Sequence, residues 1–141
     1  MAATWQLWAL LAAVFAALTA IFAKVGVEQV NSDFATLIRV AIILPLLGLI
    51  VLATGAWQSP VTVPARTWIF LGLSALATGA SWLCYFRALK LGDAARVAPV
   101  DKLSVVMVAV FGVLFLGERL SAANWAGVVL VMAGVMLIAL R

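Results

Sequence analysis

The chain has 141 residues, of which 67% are hydrophobic and only 10% are charged. A soluble domain of this length cannot hide so much apolar surface, because a small globular protein needs a polar coat. The composition therefore excludes a soluble domain and predicts one integral membrane domain over residues 1–141. The net charge of +4 comes from Lys and Arg at the ends of apolar segments, which favours a membrane surface over nucleic acid as their partner.

Five apolar segments are long enough to cross a bilayer as helices, which requires roughly 20 residues each. They are predicted at about 5–24, 33–54, 67–88, 98–116 and 122–140. Ser32 or Asp33 is a candidate N-cap of the second helix, and Ser121 of the fifth. Backbone groups inside a bilayer must be paired internally, so the segments predict an all-α bundle of five transmembrane helices.

Basic residues are divided unequally between the two ends of these helices. On the side of the N-terminus we count only Arg66 and Arg119. The opposite side holds seven basic residues, two of them just inside the membrane: Lys24, Arg39, Arg87, Lys90, Arg96, Lys102 and Arg141. The positive-inside rule then predicts an N-terminus outside and a C-terminus in the cytoplasm.

Residues typical of catalytic or metal sites are scarce. The chain has no His and a single Cys, Cys84, so it offers neither the usual zinc ligands nor an intrachain disulfide. No nucleophile stands beside a base, and no span holds a pair of acidic residues. We therefore expect no cofactor and no metal, and an enzyme is the least favoured class of protein.

Small residues recur at helical spacing in two spans. Ala75 and Gly79 form a small-xxx-small pair in the third span, and Gly127 and Gly134 share one face of the fifth. We expect these four residues to mediate close helix packing. A hinge is the alternative role.

Two ionisable side chains lie near the starts of the second and fourth helices. Arg39 is about 9 Å and Asp101 about 4–5 Å from the helix start, at 1.5 Å per residue. Both helices begin on the same side, so an Arg39–Asp101 ion pair is a reasonable hypothesis, and Asp101 is the only acidic residue placed inside a span. Alternatively, Arg39 and Lys102 snorkel to the headgroups. With Pro99 as the first helical residue, Asp101 would then contribute about 0.3–1 kcal/mol at the helix N-terminus.

Helical spacing also groups candidate residues of a substrate path. Asp101 and Ser104 share a stripe of the fourth helix. On the third helix four side chains fall on one broad face: Thr78, Ser81, Trp82 and Tyr85. Together with Arg39, these aromatic, hydroxyl and charged groups could hold a small amphipathic metabolite or an organic cation. Lipid contact or interfacial anchoring is the alternative role of the aromatic rings.

The stretch from Tyr85 to Ile138 resembles the second half of an EamA domain of the drug/metabolite transporter superfamily. The matching elements are "YFRAL" before a short loop, "APV" opening the fourth helix, "FGVLFLGERL" closing it and "NWAGVVLVMAGVML" in the last. The first half matches through Lys24 and through "FATLIR" with Arg39. The family pattern often has Pro where this chain has Val105, so the resemblance does not carry a kink over to the fourth span.

The resemblance implies a transporter subunit that moves small metabolites or drug-like solutes across a bacterial-type inner membrane. Typical members resemble two fused five-helix repeats of opposite orientation, which give alternating access to a central path. This chain holds one repeat, half of such a transporter, so we expect an antiparallel pair with a second five-helix chain. The seven-to-two charge bias favours a distinct partner over a second copy.

Two alternatives stay open at this point. One is a membrane scaffold or accessory subunit that transports nothing, in which the polar residues only anchor the bundle. The other is a flippase for lipid-linked substrates, which lies within the transporter class. The choice between proton-coupled and facilitated transport also stays open.

Overall fold

The structure, a computed structural model, describes residues 4–140. All of the secondary structure assigned in this range is helical. The α-helices are, in chain order, α1 (Thr4–Gly26), α2 (Ser32–Ala53), α3 (Ala65–Leu91), α4 (Ala94–Asp101), α5 (Leu103–Leu116) and α6 (Ala122–Ala139). Five segments are long and apolar enough to span a membrane, with α4 and α5 together forming the fourth. The predicted all-α fold with five spans is confirmed, whereas Arg141, which entered the charge count, lies outside the described residues.

The helices divide into two compact units. The α2–α3 unit comprises Ala23–Leu91, and the α4–α6 unit comprises the residues up to Phe22 and those from Gly92 onward. Within the first of these, α2 packs against α3. Within the second, α6 packs against both α4 and α5.

Burial in the α2–α3 unit is confined to one end of its helices. The buried residues all lie where α1 ends, α2 begins and α3 ends: Val27, Ser32, Thr36, Phe86 and Leu89. Further along α2 and α3 the large apolar side chains are exposed, as Leu76 is at 74%. Such an exterior suits lipid, which solvates apolar side chains as readily as a protein core does.

The N-cap of α2 is Asn31, and the prediction of Ser32 or Asp33 in this role is wrong. Asn31 has an extended backbone, and its side-chain oxygen accepts hydrogen bonds from the N–H groups of Asp33 at 2.8 Å and Phe34 at 3.3 Å. This leaves the Asp33 carboxylate available for another contact. The predicted cap of the last helix is confirmed, because Ser121 Oγ accepts from the Asn124 N–H at 3.2 Å.

We expect Asn31→Ala to lower the free energy of unfolding by about 1 kcal/mol, because two N–H groups of the first turn lose their acceptor. Asn31→Asp is the matched control, since a carboxylate caps the same N–H groups. Equilibrium unfolding of the purified protein in mixed detergent micelles measures both variants. Equal loss of stability in the two would contradict the capping role.

The fourth span begins four residues earlier than predicted, at Ala94 and not at Ala98. Asp93 has an extended backbone, and its carbonyl accepts from the N–H groups of Arg96 at 3.0 Å and Val97 at 2.9 Å, which starts the helix. The sequence predicts Pro99 at the first helical position, where proline is favoured. In the structure it lies inside α4, and the helix loses one hydrogen bond because proline has no N–H.

The same span is interrupted at Lys102, between α4 and α5. The Lys102 N–H donates to the Pro99 carbonyl at 3.0 Å, and the Val105 N–H donates to the Lys102 carbonyl at 3.0 Å. Each of these hydrogen bonds joins residues three positions apart, as in a 3₁₀-helix, and such turns are tighter than α-helical ones. The prediction of one continuous helix over 98–116 is therefore wrong. Val105 in place of the family's Pro does not make the span regular, since Pro99 already disturbs the preceding turn.

The end of α5 gives a physical reason for the "LGERL" motif. Gly117 adopts φ +69°, the left-handed conformation that glycine allows at a helix end. The Glu118 N–H then donates to the Gly112 carbonyl at 3.1 Å. The Glu118 side chain covers Gly112, since a Cβ there would lie 2.6 Å from Glu118 Oε2. The motif terminates the helix.

Candidate functional site

A groove of about 600 Å³ runs between α2 and α3, entirely within the α2–α3 unit. Its α2 wall shares one helical face and consists of Asp33, Thr36, Leu37 and Val40. Its α3 wall consists of Leu71, Ser74, Ala75, Thr78, Gly79, Trp82 and Leu83. From Leu71 to Leu83 the groove follows α3 for about 18 Å, more than half of the roughly 30 Å hydrocarbon core.

The chemistry of the groove is mainly apolar, with polar groups at a few places. Asp33 lies at one end, and the hydroxyls of Ser74 and Thr78 lie along the α3 wall. Thr78 Oγ1 donates to the Ser74 carbonyl at 2.8 Å, which leaves its lone pairs as acceptors. Apolar walls with a few convergent polar groups are typical of sites for small molecules.

Small side chains leave the space that the groove occupies. Ala75 and Gly79 both line it, and a Cβ built on Gly79 meets no heavy atom within 4 Å in the described chain. The same holds for Gly127 and Gly134 in α6. The predicted packing role of these residues therefore stays a prediction.

A bidentate ion pair lies where α2 begins and α3 ends. Arg87 Nε donates to Asp33 Oδ1 at 3.0 Å, and Arg87 Nη2 donates to Asp33 Oδ2 at 2.6 Å. Two parallel hydrogen bonds give the most specific geometry available to Arg and a carboxylate. Both side chains stay partly exposed, at 59% for Arg87 and 44% for Asp33.

Two lysines join the same end of the unit through backbone carbonyls. Lys24 Nζ donates to the Leu89 carbonyl at 2.7 Å, and Lys90 Nζ donates to the Val30 carbonyl. The Leu89 carbonyl belongs to the last turn of α3, where carbonyls lack helical partners and attract cations. We call the set Lys24, Asp33, Arg87 and Lys90 the closed end, because these contacts tie together the helix ends on which the buried residues lie.

Sequence reasoning missed the Asp33–Arg87 pair. It assigned Asp33 to capping and treated Asp101 as the only acidic residue inside a span. The available signal was depth: Asp33 starts the second span and Arg87 lies near the end of the third, so consecutive antiparallel helices place them in one layer. Their opposite charges could then have predicted the pair.

Arg39 contacts aromatic rings within the α2–α3 unit. Its guanidinium carbon lies 4.4 Å from the centroid of the Trp82 ring and 5.6 Å from that of Phe86. These are cation–π distances. The residue is the eighth of α2, about 11 Å from the helix start, and its side chain is half-buried. The structure thus brings together Arg39 and Trp82, two of the predicted site residues.

The other predicted residues of α3 divide between two faces. Thr78 and Trp82 line the groove, whereas Ser81 and Tyr85 are absent from its walls. Tyr85 packs edge-on against Phe86, with ring centroids 6.5 Å apart. The predicted broad face is therefore narrower in the structure, because each residue rotates by about 100° along the helix.

Asp101 and Ser104 belong to the α4–α6 unit. Asp101 is the last residue of α4, so its predicted place in the first turn of a helix is wrong, since that helix begins at Ala94. Its Oδ2 accepts a hydrogen bond from Lys102 Nζ at 3.3 Å. Ser104 is exposed on α5. The Arg39–Asp101 ion pair stays a prediction.

Comparisons with known proteins agree with this fold. Residues 3–140 match the EamA-like transporter family. A protein of Sinorhizobium sp, named "Uncharacterized transporter in cobO 3'region", is 69% identical over 139 residues, which cover 99% of each chain. No solved structure matches the chain.

Proposed function

The chain belongs to the EamA-like transporter family, and from this membership we propose that it forms half of a carrier for small metabolites or drug-like solutes. The protein is a multi-pass membrane transporter. The observation that supports the proposed role of its α2–α3 unit is the groove, whose length covers more than half of the hydrocarbon core. A solute would follow this groove past Thr78 and Trp82.

Alternating access is the mechanism we propose. The closed end lies at the Asp33 end of the groove, and the large apolar side chains of α2 and α3 away from it are exposed, so we propose that the closed end blocks the groove. Passage would require the Asp33–Arg87 pair to separate, which a surface-accessible ion pair does at low cost. In this mechanism the pair acts as a gate that reforms after each solute.

A second, oppositely oriented chain would complete the path. Family members resemble two fused repeats, whereas residues 3–140 of this chain match one family domain, and the chain covers 99% of its 69% identical relative. An antiparallel pair would place one closed end on each face of the membrane. We propose an inner membrane location with the N-terminus outside, so that the closed end, with three basic residues, faces the cytoplasm.

Topology reporters test the pairing. A C-terminal fluorescent or phosphatase fusion is expected to report a cytoplasmic C-terminus, in agreement with a distinct partner of opposite charge bias. Signal from both faces would contradict that bias and indicate a dimer of identical chains. Thiol cross-linking through the sole cysteine, Cys84, which is exposed on α3, identifies the partner.

The transport proposal is tested in proteoliposomes against a panel of radiolabelled organic acids, amino acids and amines. For the solute that is transported, we expect Asp101→Asn to lower the flux by about tenfold, because we propose that its carboxylate lies on the path with Ser104. Lys102→Gln is the control, since it removes only the ion-pair partner of Asp101. A folded Asp101→Asn protein with normal flux would exclude the proposed role of Asp101. Absence of flux for every solute in the panel would contradict the carrier itself.

A further inference from the structure

We propose that the α2–α3 groove binds an organic anion, and that Arg39 holds the carboxylate or phosphate group of that anion. The proposal rests on the proposed transport function for its physiological role, and it names the substrate class of the same groove. Sequence reasoning had left open an organic cation, which the arrangement of charges in this unit disfavours.

The N–H groups of Arg39 carry the argument. The guanidinium has five donors. Trp82 and Phe86 lie beside Arg39, and Tyr85 is near enough to interact with its charge, but no hydrogen bond of the described residues has an Arg39 side-chain N–H group as its donor. Aromatic faces stabilise the positive charge, but they satisfy no directed hydrogen bond. A half-buried guanidinium inside a membrane span therefore has donors left for an oxyanion, which two parallel N–H groups bind best.

The position of Arg39 joins this anion-binding group to the groove. Arg39 is not itself a wall residue, but its neighbour Val40 and the residue one turn before it, Thr36, both line the groove. Trp82, over which the guanidinium lies, lines it as well. An acidic group bound by Arg39 would thus lie at the edge of the groove. The apolar part of the same molecule would lie against the leucine, valine and alanine side chains of the walls.

The charges of the α2–α3 unit point in the same direction. Its basic residues outnumber its acidic ones by five to two: Lys24, Arg39, Arg66, Arg87 and Lys90 against Glu28 and Asp33. The only acidic residue of the groove wall is Asp33, and Arg87 already neutralises it through two hydrogen bonds. An organic cation would find no available carboxylate in the walls, whereas an anion would find a favourable potential.

Isothermal titration of the purified full chain in dodecyl maltoside, a detergent without phosphate, tests the proposal. The probes are benzoate, phenyl phosphate, benzamide and benzylamine, which share a ring and differ in charge. We expect the two anions to bind at least tenfold more tightly than benzamide and benzylamine. Arg39→Gln is expected to weaken benzoate binding by at least tenfold and to leave benzamide binding within twofold.

A matched variant separates this role from charge alone. Arg66 lies 5.8 Å from the Phe70 ring, and neither Arg66 nor Phe70 lines the groove, whereas the Trp82 ring beside Arg39 does. Arg66→Gln therefore removes one positive charge from the same unit at a place away from the groove. We expect it to leave benzoate binding unchanged. Arg39→Lys is expected to retain part of the affinity, because an ammonium keeps the charge but loses the two-pronged geometry.

A lipid headgroup offers the same chemistry as a free anion, and Arg39 is near enough to the helix start to reach one. Adding phosphatidylglycerol or phosphatidylcholine to the micelles distinguishes the two sources. We expect benzoate to bind in the presence of either lipid. Displacement of benzoate by either lipid from the wild type, together with loss of that lipid's binding in Arg39→Gln, would overturn the assignment to a solute.

Three further results would overturn the proposal: tighter binding of benzylamine than of benzoate, unchanged benzoate affinity in Arg39→Gln, or no saturable anion binding by a monodisperse wild type. Isothermal titration in detergent micelles measures binding alone, because micelles offer no membrane for a solute to cross. A protein that binds benzoate and transports nothing would therefore contradict the proposed function while supporting the anion site, and the two failures are distinguishable.

Discussion

Replacing Asp33 by Arg is expected to abolish solute flux, and the additional change Arg87→Asp is expected to restore at least a third of it. The single change sets two guanidiniums against each other beside Lys24 and Lys90, where the wild type has a bidentate pair. The double change exchanges the two charges and recreates the pair in the opposite direction. Flux in proteoliposomes, normalised to folded protein, measures the two single variants, Asp33→Arg and Arg87→Asp, and the double variant.

The control for this charge exchange is Lys90→Gln. Lys90 lies at the same end of the unit but donates to the Val30 carbonyl and not to a carboxylate. We expect its flux to fall less than twofold, because a glutamine amide can donate a hydrogen bond to a carbonyl. If the double variant folds and is no more active than either single variant, the ion pair is not what closes the groove.

The proposed mechanism also requires the Asp33–Arg87 pair to separate during transport. In a Cys84→Ser background, Asp33→Cys with Arg87→Cys and a short bifunctional thiol reagent is expected to stop flux, and a reductant that cleaves the reagent is expected to restore it. Reagent that links the two positions without an effect on flux would show that this end of the groove does not open during transport.

Gly79→Leu is expected to lower flux at least tenfold without loss of folded protein. A Cβ at this position meets no heavy atom within 4 Å, so the leucine side chain can extend into the groove without a clash. The change also favours the helix, since leucine exceeds glycine in helix propensity by roughly 0.5–1 kcal/mol. A loss of transport with normal amounts of folded protein is thus not explained by unfolding.

Gly72→Leu is the matched control for this prediction. Gly72 lies two turns earlier in α3, has equally open space around an added Cβ and is absent from the groove walls. We expect it to retain normal flux and the same gain in helix propensity. Normal flux in Gly79→Leu would contradict the groove as the solute path, and equal loss in the two variants would point to an effect on helix packing against a partner.

The sequence was sufficient for the elements that depend on local chemistry. Hydropathy predicted the five spans, because each must exceed the thickness of the hydrocarbon core. Ser121 was recognised as a cap from its place before an apolar run. The resemblance to the EamA family depended on ordered motifs, and the comparisons with known proteins confirm it.

Local rules failed where two preferences competed. Asn31, Ser32 and Asp33 can all cap a helix, and their order alone does not tell which one adopts the extended backbone. Pro99 is favoured at the first position of a helix, yet the Gly92–Asp93 turn starts α4 earlier and leaves the proline inside it.

The site could be predicted only in part, because depth in the membrane can be read from spacing but lateral position cannot. Spacing placed Arg39 correctly near the start of its span. It did not indicate that Trp82 and Phe86 would lie beside the guanidinium, which depends on how α2 and α3 rotate about their axes. The ion pair at the closed end needed the same information.

The sparse burial within the chain has a thermodynamic consequence. In each of the five spans about 6% of the most apolar window is buried inside the chain. Helices associate within lipid through packing and not through exclusion of water. A chain with so little internal burial therefore gains stability mainly from the molecules that bind it. We therefore expect the proposed pair to dissociate on dilution into excess lipid, so that its mole fraction in the bilayer determines how much of the lone chain is accessible to a membrane protease.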